Sequence, residues 1–370
     1  EIIKCDWSSD VCSSDLAENQ VKIYPYEDIY RKVSEMTSED KLLLDSAIMN
    51  YSLYQAISKE TVIVDKQNPE ILMKSVKNET QAENLRKAHL KDAVAHTKFM
   101  YWLKKNIGRV EITELSASAR LEGLRAEQEH FLGPSFGPIS AYGEHGAIVH
   151  YSADEKSNVP LKEGKLFMTD TGGHYLEGST DITRTVALGE VGNLEKEHFT
   201  LVARAMLRLA NTVFLYGCSG ANLDCIAREV FWKEGLNFNH GTGHGVGYLL
   251  NIHEGPINFR WKEGERSAPA LEENMVITDE PGIYIEGSHG IRLENELLVR
   301  KTVKNEYGQF MNFEILTYVP IDLDAILPEK MSTEEKEMLN HYHKQVYEKV
   351  SPYLSEEERI WLKEYTRAVK

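Results

Sequence analysis

Four short blocks of this chain hold the residue types that bind cations and move protons. In LFMTDTGGHYLEGSTDITRT, Asp170 and Asp181 stand eleven residues apart, each closing a strand-like run, with GG and EG turns between them. A hairpin of that length sets two carboxylates side by side. Adjacent carboxylates repel and are costly unless a cation or a proton sits between them. NFNHGTGHGVGYLLNIHEGP carries His240, His244 and His253, and the glycines flanking His244 let the backbone pass close to a ligand. VITDEPGIYIEGSHGIRLENELLV carries Glu280 and Glu294, fourteen apart on a second hairpin-like stretch, and GAIVHY sets His150 in an apolar, strand-like run. Two Asp, two Glu and one to three His form an oxygen-rich donor set that suits Mn²⁺, Co²⁺ or Zn²⁺ better than a soft metal. That is more donors than one ion needs, so two ions roughly 3.5–4 Å apart, bridged by carboxylates, are the economical reading.

The elements around these blocks must position them. The pattern predicts a long amphipathic helix over 80–107, with Leu85, His89, Ala93 and Ala95 on one face, ended by Gly108. A second helix is expected over 112–128, and an antiparallel sheet over 135–190, where Gly, Thr and β-branched residues dominate. Helices over 194–215 and 221–235 then precede strands from His240 to about Pro320. Two helix-pair-then-strands halves imply a pseudo-duplicated core. Ser332-x-x-Glu335 and Ser355-x-x-Glu358 open two solvent-facing helices with capping boxes. Upstream, 21–24, 41–44 and 60–65 read as strands and 49–57 as a helix. His174 and His289, beside turn glycines, are expected at the surface, and His341 and His343 in solvent. Met73, Met100, Met168 and Met275 read as core filling.

Composition sets the bounds. A net charge of −16 over 370 residues argues against nucleic acid or an anionic membrane as the main partner. With 42% hydrophobic and 27% charged residues the chain is too apolar for bulk disorder. No apolar run reaches the roughly 20 residues of a membrane helix, since Arg204 and Arg208 break the stretch 201–216. Four cysteines make no disulfide framework, which favours a reducing, cytoplasmic setting.

The first sixteen residues, EIIKCDWSSDVCSSDL, share no pattern with the rest of the chain. Residues 6–16 read as the translation of a common sequencing-library adapter, so 1–16 are expected to be foreign to the natural chain.

The four blocks together carry a resemblance. DTGG…STDITRT, HGTGHGVG…NIHEGP, TDEPGIY and GIRLEN resemble, in order and spacing, the metallopeptidases of the pita-bread fold. That family includes methionine aminopeptidase, X-Pro dipeptidase and aminopeptidase P, and the match is closest to the long cytosolic type of X-Pro aminopeptidase. The resemblance covers about Ile71 to the C-terminus. It implies an α+β pita-bread catalytic domain over 71–320, preceded by the α/β remnant of a middle domain over 17–70 and followed by a helical extension over 321–370. Two divalent ions, Mn²⁺ first, are implied, with Asp170, Asp181, His244, Glu280 and Glu294 as ligands. Glu280 is then also the base. His150 lies near substrate and leaving group, and His240 and His253 position substrate, with His150 or His240 shuttling the proton. Arg184 and Arg292 are expected to orient ligand carboxylates. The implied reaction is release of the N-terminal residue from Xaa-Pro peptides by a homodimer. The alternatives are an X-Pro dipeptidase with the same ligands, and a metal-free peptide-binding module.

Overall fold

The computed structural model describes residues 22–262 and 268–370. The segment 1–16 and the start of the expected strand at Val21 lie outside the described residues. The chain divides at Met73/Lys74 into two compact units.

In the first unit, helix α1 (Asp28–Ser34), strand β1 (Lys41–Leu44), helix α2 (Tyr51–Ala56) and strand β2 (Val62–Asp65) follow in order. β1 and β2 are parallel, with Leu42 opposite Ile63, and Val33, Leu44 and Ile57 form a small core. The expected strand at 21–24 is not found over Lys22–Tyr24. β-propensity without a paired neighbour does not make a strand. Met73 is 74% exposed rather than core, because the helix α3 (Pro69–Ser75) that carries it buries only Ser75.

The second unit opens with helix α4 (Glu79–Asn106), capped by Asn78 and Gln81 in a capping box, and helix α5 (Glu114–Ala126), capped by Thr113 and Ser116. Strands β3 (Phe131–Pro134), β4 (Ile139–Tyr142), β5 (Lys165–Thr171), β6 (Gly173–Tyr175), β7 (Gly178–Ser179) and β8 (Ile182–Leu188) come next. They form two antiparallel sheets, β4-β5-β8 and β3-β6-β7. Helix α6 (Asn193–Ala210), strand β9 (Phe214–Leu215) and helix α7 (Gly220–Trp232) begin the second half. Strands β10 (Gly243–His244), β11 (Asn258–Phe259), β12 (Val276–Asp279), β13 (Gly282–Ile285), β14 (His289–Arg292), β15 (Asn295–Asn305) and β16 (Gly308–Ile315) complete it. Helices α8 (Thr333–Val350) and α9 (Glu356–Tyr365) close the chain, each opened by the capping box read from sequence.

The larger sheet runs β12-β15-β16-β9, all antiparallel. The two halves meet where the Glu294 amide donates to the Thr183 carbonyl at 3.0 Å, which joins the strand text on either side into one curled antiparallel surface. α6 lies inside, with Phe199, Val202, Met206 and Leu209 fully buried. It stops at Ala210, earlier than the expected 215. Asn211 and Thr212 turn their side chains back onto the Leu207 and Arg208 carbonyls, and Phe214–Leu215 leaves to pair with β16.

α8 is only partly solvent-facing. Leu339, Tyr342, His343 and Val346 are buried, and His343 Nε2 accepts from the Ile321 amide at 3.1 Å. Burial drives that imidazole down to about 3, so it is a neutral structural residue rather than a solvated one. His289 is also buried, its Nε2 2.9 Å from His198 Nδ1, because the β13–β14 hairpin packs against α6.

Candidate metal centre

Strand register assembles the acidic cluster. Asp170 faces Thr183 and Thr171 faces Ile182 across β5 and β8, so Asp181, immediately before β8, arrives beside Asp170. The β6–β7 excursion between them needs Gly172, since a Cβ there would stand 1.7 Å from the Thr180 carbonyl oxygen. On the second hairpin Gly282 faces Arg292, which leaves Glu280 and Glu294 as a pair just beyond the strand ends. The histidine strand is stitched to the same place. The Glu280 amide donates to the Thr242 carbonyl at 2.8 Å, and the His244 amide to Thr278 Oγ1 at 3.0 Å. Gly243 permits that approach, because a Cβ would meet the Thr278 carbonyl at 1.8 Å.

His244 Nε2 lies 3.4 Å from Asp181 Oδ2 and 3.6 Å from Glu280 Oε1. Three overlapping trios each bring their ligand atoms within 4.8 Å of one another. They are Asp170/Asp181/Glu294, His244/Glu280/Glu294 and Asp181/His244/His253. His253 is thus within reach of a ligand position as well as edge-on to His244, with ring centroids 4.2 Å apart.

The donors fit divalent cations. Asp181 Oδ1 and Glu294 Oε1 are buried without a hydrogen-bond partner, although Thr183 Oγ1 donates to Glu294 Oε2 at 2.8 Å. Burial, then the neighbouring Asp170 charge, holds the Asp181 carboxyl well above its ordinary value. Burial and then Asp181 do the same for Glu294, and burial raises Glu280. Carboxylates so crowded need protons or cations between them. An all-oxygen and imidazole set selects borderline or hard divalent ions.

The supporting residues separate into kinds. Arg292 donates through Nε to Asp170 Oδ2 at 3.1 Å and through Nη1 to the Tyr284 hydroxyl at 2.7 Å, as expected for a residue that orients a ligand. Arg184 differs from the expectation. Its guanidinium donates to the carbonyls of Glu294 (2.6 Å), Thr183 (2.8 Å) and Val319 (2.9 Å) and to the Asn295 and Tyr342 side chains, so it holds the backbone of Glu294 and not a carboxylate.

His240 Nδ1 lies 2.7 Å from the Gly241 carbonyl, which only accepts, so Nδ1 carries the proton. Nε2 then accepts from the Tyr284 hydroxyl at 2.9 Å. Burial lowers His240 to about 4 and raises Tyr284 to about 12, so the chain Arg292→Tyr284→His240→Gly241 keeps its donors and acceptors throughout the neutral range. His150 stands on a turn after β4, not in a strand; it is exposed, lines the cavity and makes no hydrogen bond to a described residue. The cavity, about 490 Å³, is walled by the five candidate ligands, by His150, His240 and His253, and by Phe136, Ile139 and Arg260 among others.

Sequence reasoning missed a buried polar layer under the site. Arg125 Nε donates to Asp92 Oδ1, Arg125 Nη2 reaches the Thr171 carbonyl at 3.2 Å, and the Thr180 hydroxyl donates to Asp92 Oδ2. Glu296 Oε1 accepts the Asp181 amide at 2.6 Å and lies beside His89, 3.2 Å away through Oε2. Lys77 Nζ donates to the Val246 carbonyl, two residues past His244, and burial lowers it to about 8. The available signal was His89, Asp92 and His96 recurring on the apolar face of α4. Removing one partner of a buried, hydrogen-bonded ion pair leaves an uncompensated charge. Asp92→Ala is therefore expected to cost about 3–5 kcal/mol, read as a lower urea midpoint at unchanged m. A loss under ~1 kcal/mol contradicts that role.

A cluster of carboxylates and histidine converging on a curled antiparallel sheet has the donor set of a divalent-cation centre. Residues 83–301 match metallopeptidase family M24, 309–369 match the C-terminal region of peptidase M24, and 4–81 match the creatinase/prolidase N-terminal domain. The chain belongs to metallopeptidase family M24. It is 36% identical to aminopeptidase P1 of Arabidopsis thaliana over 89% of its length and 55% of that protein. It is 36% identical to Xaa-Pro aminopeptidase 2 of Sus scrofa over 96% and 52%. Among solved structures, the X-prolyl aminopeptidase of Caenorhabditis elegans, described as a cytosolic enzyme with a di-nuclear active site, superposes with TM-score 0.90 at 31% identity, over 98% of this chain and 60% of that one. Prolidase from Pyrococcus furiosus superposes with TM-score 0.62 at 26% identity, over 80% of each chain. The chain thus spans little more than half the length of the curated relatives it matches.

Proposed function

We propose that this protein is a metal-dependent aminopeptidase that releases the N-terminal residue from peptides with proline second. The reading is carried by the convergence of Asp170, Asp181, His244, Glu280 and Glu294 on one cavity, and supported by relatives named for X-Pro cleavage. We assign residues 71–320 to the catalytic domain, 321–370 to its helical extension and 17–70 to a middle-domain remnant.

Two divalent cations held by the five ligands, Mn²⁺ by preference, would supply Lewis acidity and acidify a water at neutral pH. Glu280, on the cavity wall 3.6 Å from His244, is placed to take that water's proton. The leaving nitrogen of an X–Pro bond belongs to a tertiary amide without N–H and must gain a proton to depart. His150, exposed and free of hydrogen bonds among the described residues, is the group that delivers it. His240 is committed at both ring nitrogens, so it orients the substrate rather than titrating. His253, edge-on to His244, borders the substrate in the same cavity.

His150→Asn is accordingly expected to lower kcat about 100-fold with metal content unchanged. His240→Asn should act mainly on KM. With His240 near 4, no acid limb of kcat/KM above pH 6 belongs to it; an acid limb above pH 6 that disappears in His240→Asn contradicts the assignment. We further propose a cytoplasmic homodimer. A cytosolic relative supports the location, and no helix among the described residues is long and apolar enough to cross a membrane.

The test is hydrolysis of Arg-Pro-Pro against Gly-Pro with Mn²⁺ present. Cleavage of the tripeptide between Arg and Pro is the expected result. Cleavage of the dipeptide alone points to an X-Pro dipeptidase.

A further inference from the structure

Arg260 lines the same cavity as the ligands. It follows β11, whose register sets Phe259 against Gly243, and the Phe259 carbonyl accepts from the Thr242 amide at 2.8 Å, so its backbone is fixed. Its side chain lies flat over Gly241, where a Cβ would come within 3.0 Å of Cγ and Nε. Arg292, the other guanidinium in the wall, is buried and used by Asp170 and Tyr284. Arg260 is exposed and makes neither an ion pair nor a hydrogen bond with a described residue. Among the described residues it is the one uncommitted permanent cation facing a cavity whose other ionised walls, apart from the committed Arg292, are carboxylates.

We propose that Arg260 takes the α-carboxylate of a short X-Pro-Y substrate, so that the enzyme favours tripeptides ending near the scissile bond over longer chains. The inference rests on the X-Pro reading above. A guanidinium offers a planar pair of donors matched to a carboxylate, and such charge-assisted pairing is about twice as strong as a neutral hydrogen bond. The chain's own acidity makes the preference specific, since a carboxylate finds little attraction elsewhere on a surface of net charge −16.

The test compares an X-Pro-Y tripeptide as free acid with its C-terminal amide, at fixed Mn²⁺ and salt. The wild type should favour the acid about tenfold in kcat/KM, through KM. Arg260→Gln should erase that preference by raising KM for the acid while leaving both parameters for the amide unmoved, and Arg260→Lys should restore part of it. Lys262→Gln, the same charge change at a side chain stacked on Trp261, should keep the preference. Equal handling of acid and amide by the wild type, or an equal slowing of both by Arg260→Gln, overturns the proposal alone. Cleavage of neither peptide overturns the X-Pro reading with it.

Discussion

Glu280→Gln is expected to lower kcat for an X-Pro tripeptide by about 1000-fold, and adding Mn²⁺ should not restore it. The amide keeps the size of the carboxyl and the hydrogen bond from Thr278 Oγ1, 3.1 Å away, so the hairpin is undisturbed. What it loses is the negative charge facing His244 at 3.6 Å and the ability to accept a proton. Glu294→Gln removes a charge from the same cluster but no base, and Thr183 Oγ1 can still donate to the amide oxygen. Its defect should therefore shrink as Mn²⁺ is raised. Steady-state kinetics at several metal concentrations, with metal content by elemental analysis, separates the two. Wild-type activity in Glu280→Gln, or full rescue by metal, refutes the role of Glu280 as base. Loss of metal without loss of activity in either variant refutes the cation centre itself.

Metal removal should destabilise the protein in a pH-dependent way. A ligand present at about 1000 times its dissociation constant stabilises the folded state by ~4 kcal/mol. Chelation should lower the melting temperature by an amount that reflects this. In the metal-free protein Asp181, Glu280 and Glu294 have carboxyls raised by burial. A carboxyl raised in the folded state binds more protons folded than unfolded across the window between its two values. The metal-free protein therefore loses stability as pH rises through that window. Cations bind the deprotonated ligands, so their stabilisation grows over the same range. The difference in melting temperature with and without Mn²⁺ should widen as pH rises from the ordinary carboxylate range through neutrality. A difference that is flat or narrows with pH refutes the account.

The parts of this molecule legible in sequence are those whose cause is local. Ser332 with Glu335 and Ser355 with Glu358 satisfy the first amides of their own helices, so both helix starts are found where the residues place them. The apolar stripe of Leu85, Ala93 and Ala95 marks the buried face of α4 without knowledge of what it packs on. The pairing of the candidate ligands was legible for a related reason. Asp170 with Asp181, and Glu280 with Glu294, sit at the ends of local hairpins, where turn glycines and strand lengths determine the pairing.

What failed was decided at long range. His289 beside a turn glycine looks exposed until α6 brings His198 against it, and His343 in an acidic helix looks solvated until the Ile321 amide is found pointing at its ring. Arg184 carries a motif position suited to a carboxylate, yet it holds no carboxylate, and apart from the adjacent Thr183 carbonyl its partners, the Glu294 and Val319 carbonyls among them, lie more than a hundred residues away. Tyr284, which accepts from Arg292 and occupies the Nε2 of His240, carries no mark in GIYIEG. The sequence by itself determined which residues can bind cations and the hairpins that pair them, because charge type and turn chemistry are properties of neighbouring residues. The tertiary structure alone decided protonation, tautomer and the division between structural and available groups, because burial and hydrogen-bond partners come from segments that only folding brings together.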